Sequence, residues 1–259
     1  MTSGKQARRR RQDEARPPVR STEGRRASPR VLLIALAGFA GLAAVLVLVF
    51  VLSSGNSGST DTTATTLPDA NVIAKQFNGI PQKGNVLGKA SAPATLVEYV
   101  DLQCPVCREF ETGVMPTIID RYVRTGKLKV EARPIAFIGP DSERGRRAAL
   151  AAGLQNRLFN LMQLLYFNQG PENGGWLNES MAVSAATSIP GVDVQALLDA
   201  RNSDAVANET TTFDRQARAD GVAGTPTLLV GKSGAALTSL GAGAPTVAQL
   251  SAAIDRALG

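Results

Sequence analysis

The 259-residue sequence has no histidine and only two cysteines. Without histidine no Ser-His-Asp hydrolytic set can be assembled. Structural zinc takes four ligands from Cys, His or carboxylate, and two thiols alone do not supply them. No Gly-rich phosphate loop and no carboxylate cluster with metal-ligand spacing stands out, so neither a metal nor an organic cofactor is expected. Long apolar runs are also few, and only residues 31–52 form one. The charge surplus is local: of 28 Lys and Arg and 22 Asp and Glu, ten and three lie in residues 1–30, leaving 18 and 19 in the rest. The basic balance therefore describes a tail and not the globular part, which removes the main argument for nucleic-acid binding.

The two cysteines stand together as Cys104-Pro105-Val106-Cys107. Proline suits the first turn of a helix, where its fixed φ is already helical and its missing N–H has no partner to lose. Cys104 then sits at the helix N-terminus, where unpaired backbone N–H groups and the positive end of the macrodipole favour a thiolate. Cys107, one turn on, can close a disulfide with it. A purely structural cross-link gains stability with the length of loop it closes, and this loop is about as short as loops get. The pair therefore reads as a redox-active disulfide, with Cys104 as nucleophile and Cys107 as resolving thiol.

The remainder of the chain divides around that motif. Residues 31–52 are 22 uninterrupted apolar residues, enough to span about 33 Å as a helix. That exceeds the usual h-region of about 7–15 residues, and no A-x-A pattern follows, so an uncleaved transmembrane signal anchor is expected. The arginines of residues 1–30 place that tail in the cytoplasm and everything after the span outside. Residues 53–70, rich in Ser, Thr and Gly, read as a flexible tether. Residues 71–259 are the globular domain.

Within that domain, residues 94–100 are a β-prone run leading straight into the cysteines. The helix that follows should bend at Pro116 and stop at Gly126. Residues 128–137 read as a second strand, with Leu128, Val130 and Ala132 alternating against Lys129, Glu131 and Arg133, which gives a β-α-β unit with its chemistry at the carboxyl end of the first strand. From about 141 to 220 the pattern is wholly helical, with segments at 146–155, 158–167, 181–188, 194–201 and 204–219. A hairpin at 227–240 and a helix at 247–258, capped by Thr246, close the chain. Arg144, Arg146 and Arg147 read as a solvated helical face, and Trp176 with the Phe159, Leu161, Leu164 and Leu165 stripe reads as core.

The order β-α-β, helical block, β-β-α resembles the thioredoxin superfamily, and within it the DsbA-like thiol:disulfide oxidoreductases. The residues that carry the likeness are Leu87-Gly88, Ala92 to Glu98, Asp101-Leu102-Gln103 before the cysteines, and Gly221 to Thr227 with its Gly-Thr-Pro-Thr. The implied architecture is an α/β thioredoxin-like fold with an inserted helical domain, preceded by one transmembrane helix. The resemblance also implies a cis Thr225–Pro226 bond facing the cysteines. Thr225 and Pro226 would then bind substrate backbone, and Pro105 and Val106 would shape the adjoining surface. Glu98, six residues before Cys104, matches a position where thioredoxin-like proteins commonly keep a buried carboxylate behind the second cysteine, fit to relay a proton. Strand alternation alone leaves an exposed glutamate open. Asp101 is expected to hydrogen-bond around the turn. One residue departs from the pattern: the best-known oxidases have histidine where this chain has Val106.

The resulting expectation is a membrane-tethered, extracytoplasmic enzyme that forms or exchanges disulfides in exported proteins with free thiols and is reoxidised by a quinone-linked membrane partner. A reductase of similar fold, serving cytochrome maturation or metal-site assembly, would use the same residues in reverse. A non-catalytic module that holds clients in the thioredoxin groove or senses them is the third reading.

Overall fold

The computed structural model describes residues 65–259. Among them no helix is long and apolar enough to cross a membrane. The expected span at 31–52, the basic tail and most of the tether lie outside the described residues. The last residues assigned to the tether are docked: the Leu67 N–H donates to the Ser188 hydroxyl at 2.8 Å. Helix α1 (Ala70–Phe77) then buries Ile73 and Phe77. A two-rung hairpin of β1 (Gln82–Lys83) and β2 (Val86–Leu87) follows. These strands are too short to carry an alternation, and for that reason periodicity does not reveal them.

Strand β3 (Ala94–Val100) is buried at every position, Thr95 and Glu98 included, because both faces of the sheet are covered there. It pairs in parallel with β4 (Leu128–Pro134) and antiparallel with β5 (Thr227–Lys232). With β6 (Thr238–Ala242) the six strands run in the order β1-β2-β4-β3-β5-β6. β4 buries Leu128, Val130 and Ala132 and leaves Lys129, Glu131 and Arg133 half-covered, following the predicted alternation. It ends at Pro134, short of residue 137, because the Phe137 and Ile138 N–H groups turn away to bond the Asp101 carboxylate.

Between β3 and β4 the helical run 105–123 begins with α2 (Pro105–Glu109) and continues through a π turn (Phe110–Val114), α3 (Met115–Ile118) and a second π turn (Ile119–Val123). Pro116 has no N–H to donate, and the helix accommodates it by widening the ladder, with Met115 N–H reaching back to the Phe110 carbonyl. Gly126 stops the run at φ +76°. The Gly126 and Lys127 N–H groups close back on the carbonyls of Val123 and Tyr122 in a Schellman arrangement.

The inserted block comprises α4 (Pro140–Leu154), α5 (Leu158–Phe167), α6 (Glu179–Thr187), α7 (Val194–Ala200) and α8 (Asp204–Ala219). Asn178, Asp193 and Ser203 each cap a helix by accepting an N–H three residues on. α9 (Val247–Leu258) carries a full capping box between Thr246 and Gln249. The solvated arginine face needs correction at its centre. Arg146 is only 7 % exposed; its guanidinium grips the Asp214 carboxylate at 2.6 and 3.1 Å and donates to Glu143 at 2.5 Å. Helix α8 lies over α4 there, and the two carboxylates compensate for the desolvated charge. Arg144 and Arg147 pair with Asp141 and Glu143 nearer the surface.

Candidate active site

Cys104 is the N-cap of α2, with Pro105 as the first helical residue, so the order strand, turn, helix brings its sulfur to the helix terminus. The Cys107 N–H donates to the Cys104 sulfur at 3.4 Å. The Cys104 thiol in turn donates to the Thr225 carbonyl at 3.3 Å. The Thr225–Pro226 bond is cis. Cys104, Cys107, Thr225 and Pro226 thus meet at the carboxyl end of β3, although 121 residues separate Cys104 from Thr225. Pro105 and Val106 lie exposed beside them, Val106 at 40 %. Pro226 is buried, and its carbonyl accepts the Gly243 N–H at 2.7 Å.

The two thiols have opposite electrostatics. The Cys104 pKa is lowered to about 6, chiefly because the Cys107 thiol can donate to its thiolate; burial opposes this, and the Thr225 side chain and the N–H groups of Cys107 and Val106 assist. At neutral pH it is mostly thiolate. Val106 contributes only its backbone N–H, which a histidine there would also offer, and no side-chain donor. Burial pushes the Cys107 thiol well up, and its proximity to Cys104 adds to the effect. Cys104 keeps 6 % of its surface and Cys107 none, so an incoming client can reach only the first sulfur.

Glu98 points inward and is fully buried. Neither of its carboxyl oxygens has an N–H or hydroxyl partner. What it meets is the carboxyl of Glu111, and two carboxyls can hydrogen-bond only by sharing a proton. Burial raises the Glu98 pKa to about 8. Burial, with Glu98 beside it, pushes Glu111 well above the usual carboxylate range. Sequence reasoning missed Glu111. The signal was its position four residues after Cys107, about one helical turn along the same face. No hydrogen bond joins either acid to the Cys107 sulfur, so a proton passing between them needs an intermediary such as a water molecule.

Other polar side chains lock the turn ahead of Cys104. Asp101 is buried and accepts the N–H groups of Gln103, Phe137 and Ile138 at 2.7–2.9 Å, a wider reach than the local turn expected of it. Gln103 accepts the Asn173 N–H at 2.5 Å and donates to the Ser142 hydroxyl at 2.9 Å. Gln169 donates to the carbonyls of Leu102 and Cys104 at 2.9 and 3.2 Å. The inserted block, through Ser142 on α4 and Gln169 and Asn173 in the loop after α5, therefore holds the redox turn. Chemically, the arrangement offers one accessible, ionised sulfur, one protected sulfur and a buried acid pair behind them, which is a machine for thiol–disulfide exchange.

A family profile described as Thioredoxin matches residues 81–256. The chain is 29 % identical over 147 residues to the probable disulfide bond formation protein D of Bacillus cereus, covering 56 % of this chain and 68 % of that protein. A thioredoxin-like oxidoreductase from Silicibacter pomeroyi superposes with a TM-score of 0.55 at 26 % identity, over 73 % of this chain and 96 % of that one. Oxidised BdbD from Bacillus subtilis superposes with a TM-score of 0.60 over 75 % and 97 % of the two chains; at 19 % identity the likeness is one of fold. The profile match over most of the chain, the helical insertion and the paired thiols lead to one conclusion: the protein belongs to the thioredoxin family, as a DsbA-like thiol:disulfide oxidoreductase.

Proposed function

We propose that the protein is a membrane-tethered, extracytoplasmic disulfide donor to exported proteins. The observation that carries this reading is the accessible Cys104, with its pKa lowered to about 6, above a Cys107 that burial keeps protonated. A stabilised thiolate favours the reduced enzyme, and hence favours handing the disulfide to a client. In the first step a client thiolate attacks the Cys104 sulfur, the Cys104–Cys107 bond breaks, and Cys107 leaves as a thiolate. The Glu98–Glu111 pair supplies the proton that Cys107 then takes up. A second client thiolate attacks the client sulfur of the mixed disulfide and expels Cys104. The client loses two electrons and the enzyme gains them. A quinone-linked membrane partner would then take those electrons and restore the disulfide. The extracytoplasmic side and the tether are supported by the apolar run at 31–52 and the arginines before it. Trapping the cysteines in intact cells with an alkylating mass tag tests the direction. A donor should show mostly the Cys104–Cys107 disulfide at steady state. A dithiol pool would make the protein a reductase.

The poise follows from the same atoms. With helix N–H groups and a neighbouring thiol but no imidazole, the potential should fall between roughly −270 mV, as for thioredoxin, and roughly −120 mV, as for DsbA. Val106→His would add a cationic donor beside the thiolate. It should lower the Cys104 pKa and raise the potential by tens of millivolts, about 30 mV for each tenfold change in the two-electron equilibrium. Glutathione redox titration of the two proteins measures this directly. An unchanged or lower potential in the variant would mean that the dipeptide does not set the poise.

A further inference from the structure

The inserted helices contribute one polar side chain to the buried acid pair. Gln163 lies in the middle of α5, 2 % exposed, among Leu161, Met162, Leu164 and Leu165. Its amide nitrogen donates twice to Glu111, to the backbone carbonyl at 3.1 Å and to Oε2 at 2.7 Å. The carbonyl can only accept, so it fixes which end of the amide faces Glu111. The amide oxygen of Gln163 has no partner, a burial cost that leucine or methionine in its place would not incur.

We propose that Gln163 is a positioning residue that decides which of the two acids holds the shared proton. By donating to Oε2 it favours Glu111 as the carboxylate, against the burial and the neighbouring Glu98 that push this acid up, and so moves the shared proton toward Glu98, whose oxygens have no other donor. This rests on Glu98 being the acid that serves Cys107, and it adds that a side chain of the inserted domain biases the state that burial in the sheet gives that acid. The other titratable groups around the pair are Cys107 on α2, Asp101 in the turn after β3 and Tyr166 on α5. Asp101 is held by three N–H donors. Burial pushes the Tyr166 phenol well up, so it stays neutral.

The test uses the oxidised protein, in which neither cysteine titrates, and follows the glutamate carboxyl carbons by NMR against pH. Gln163→Met keeps the shape and removes the donor. The first ionisation of the pair should then rise by about one to two pH units, the effect of losing one hydrogen bond to a charged group. In a Glu111→Gln background the same substitution should leave the Glu98 midpoint where it is, because no carboxylate at 111 remains to be biased. Titration of Gln163→Met superimposable on the wild type would overturn the proposal, as would an equal shift in both backgrounds. The unmodified protein gives an independent reading should the variant not fold. The side-chain amide protons of Gln163 should shift with the midpoint of the pair, and a flat response would overturn the proposal equally. Exchange rates measured in parallel separate the two ideas. A shifted titration with unchanged exchange supports Gln163 as the positioning residue and sinks the role of Glu98 in proton relay.

Discussion

Replacing Cys107 with alanine should turn the enzyme into a covalent trap for its clients. Cys104 keeps its small accessible surface and remains ionisable, so it still attacks a client disulfide: the client S–S bond breaks, one sulfur joins Cys104 and the other leaves as a thiolate. In the wild type the buried neighbour then displaces the client. A thiol held one helical turn away acts at an effective concentration orders of magnitude above any thiol in solution, so its removal should abolish turnover on the time scale of the assay. Adducts should accumulate on non-reducing gels and vanish when Cys104 is also replaced by serine. The same variant carries a second readout. The Cys107 thiol is the largest source of thiolate stabilisation at Cys104, so the alkylation midpoint of Cys104 should rise above about 6. No adducts in the single variant would remove Cys104 as the nucleophile.

Glu98→Gln should slow disulfide exchange near neutral pH while moving the equilibrium potential much less. A positioned acid changes a rate, here by about a hundredfold or more if proton transfer to Cys107 limits it. The amide cannot give up a proton at any pH in range, so the variant should also lose the inflection near pH 8 that the wild type draws from Glu98. Equal rates for the two proteins from about pH 6 to about pH 8 would leave Glu98 a spectator of exchange. Stability gives a second test with a defined sign. The folded-state pKa is raised, from 4.5 to about 8, so the stability linked to this proton is complete below 4.5 and is lost as pH rises through about 8. Relative to the wild type, Glu98→Gln should gain stability across that window, by about 1.4 kcal/mol for each pH unit in which the unfolded acid is ionised and the folded one is not. Urea melts at pH 4 and pH 8 compare the two ends. A constant difference between the proteins would mean that Glu98 is not held protonated.

What the sequence determined alone is what neighbouring residues decide among themselves. Pro105 after Cys104 specifies an N-terminus, Thr246 and Gln249 specify a capping box, and Gly126 specifies a stop, because each acts within one turn of backbone. The alternation of β4 reports that one of its faces is more covered than the other, which side-chain chemistry alone encodes. The redox pair was legible for the same reason, since both thiols and the helix start lie within four residues. The tertiary structure decided what happens to charge and polarity once water is removed. Arg146 looks solvated until α8 brings Asp214 across 68 residues. Glu111 looks like an ordinary helical glutamate until the fold sets it against Glu98 and brings Gln163 to it across 52 residues. A buried carboxyl, guanidinium or amide takes its energy and its protonation state from whichever groups face it in a low-dielectric interior. Those neighbours come from different elements, so they exist only once the tertiary fold has packed those elements together.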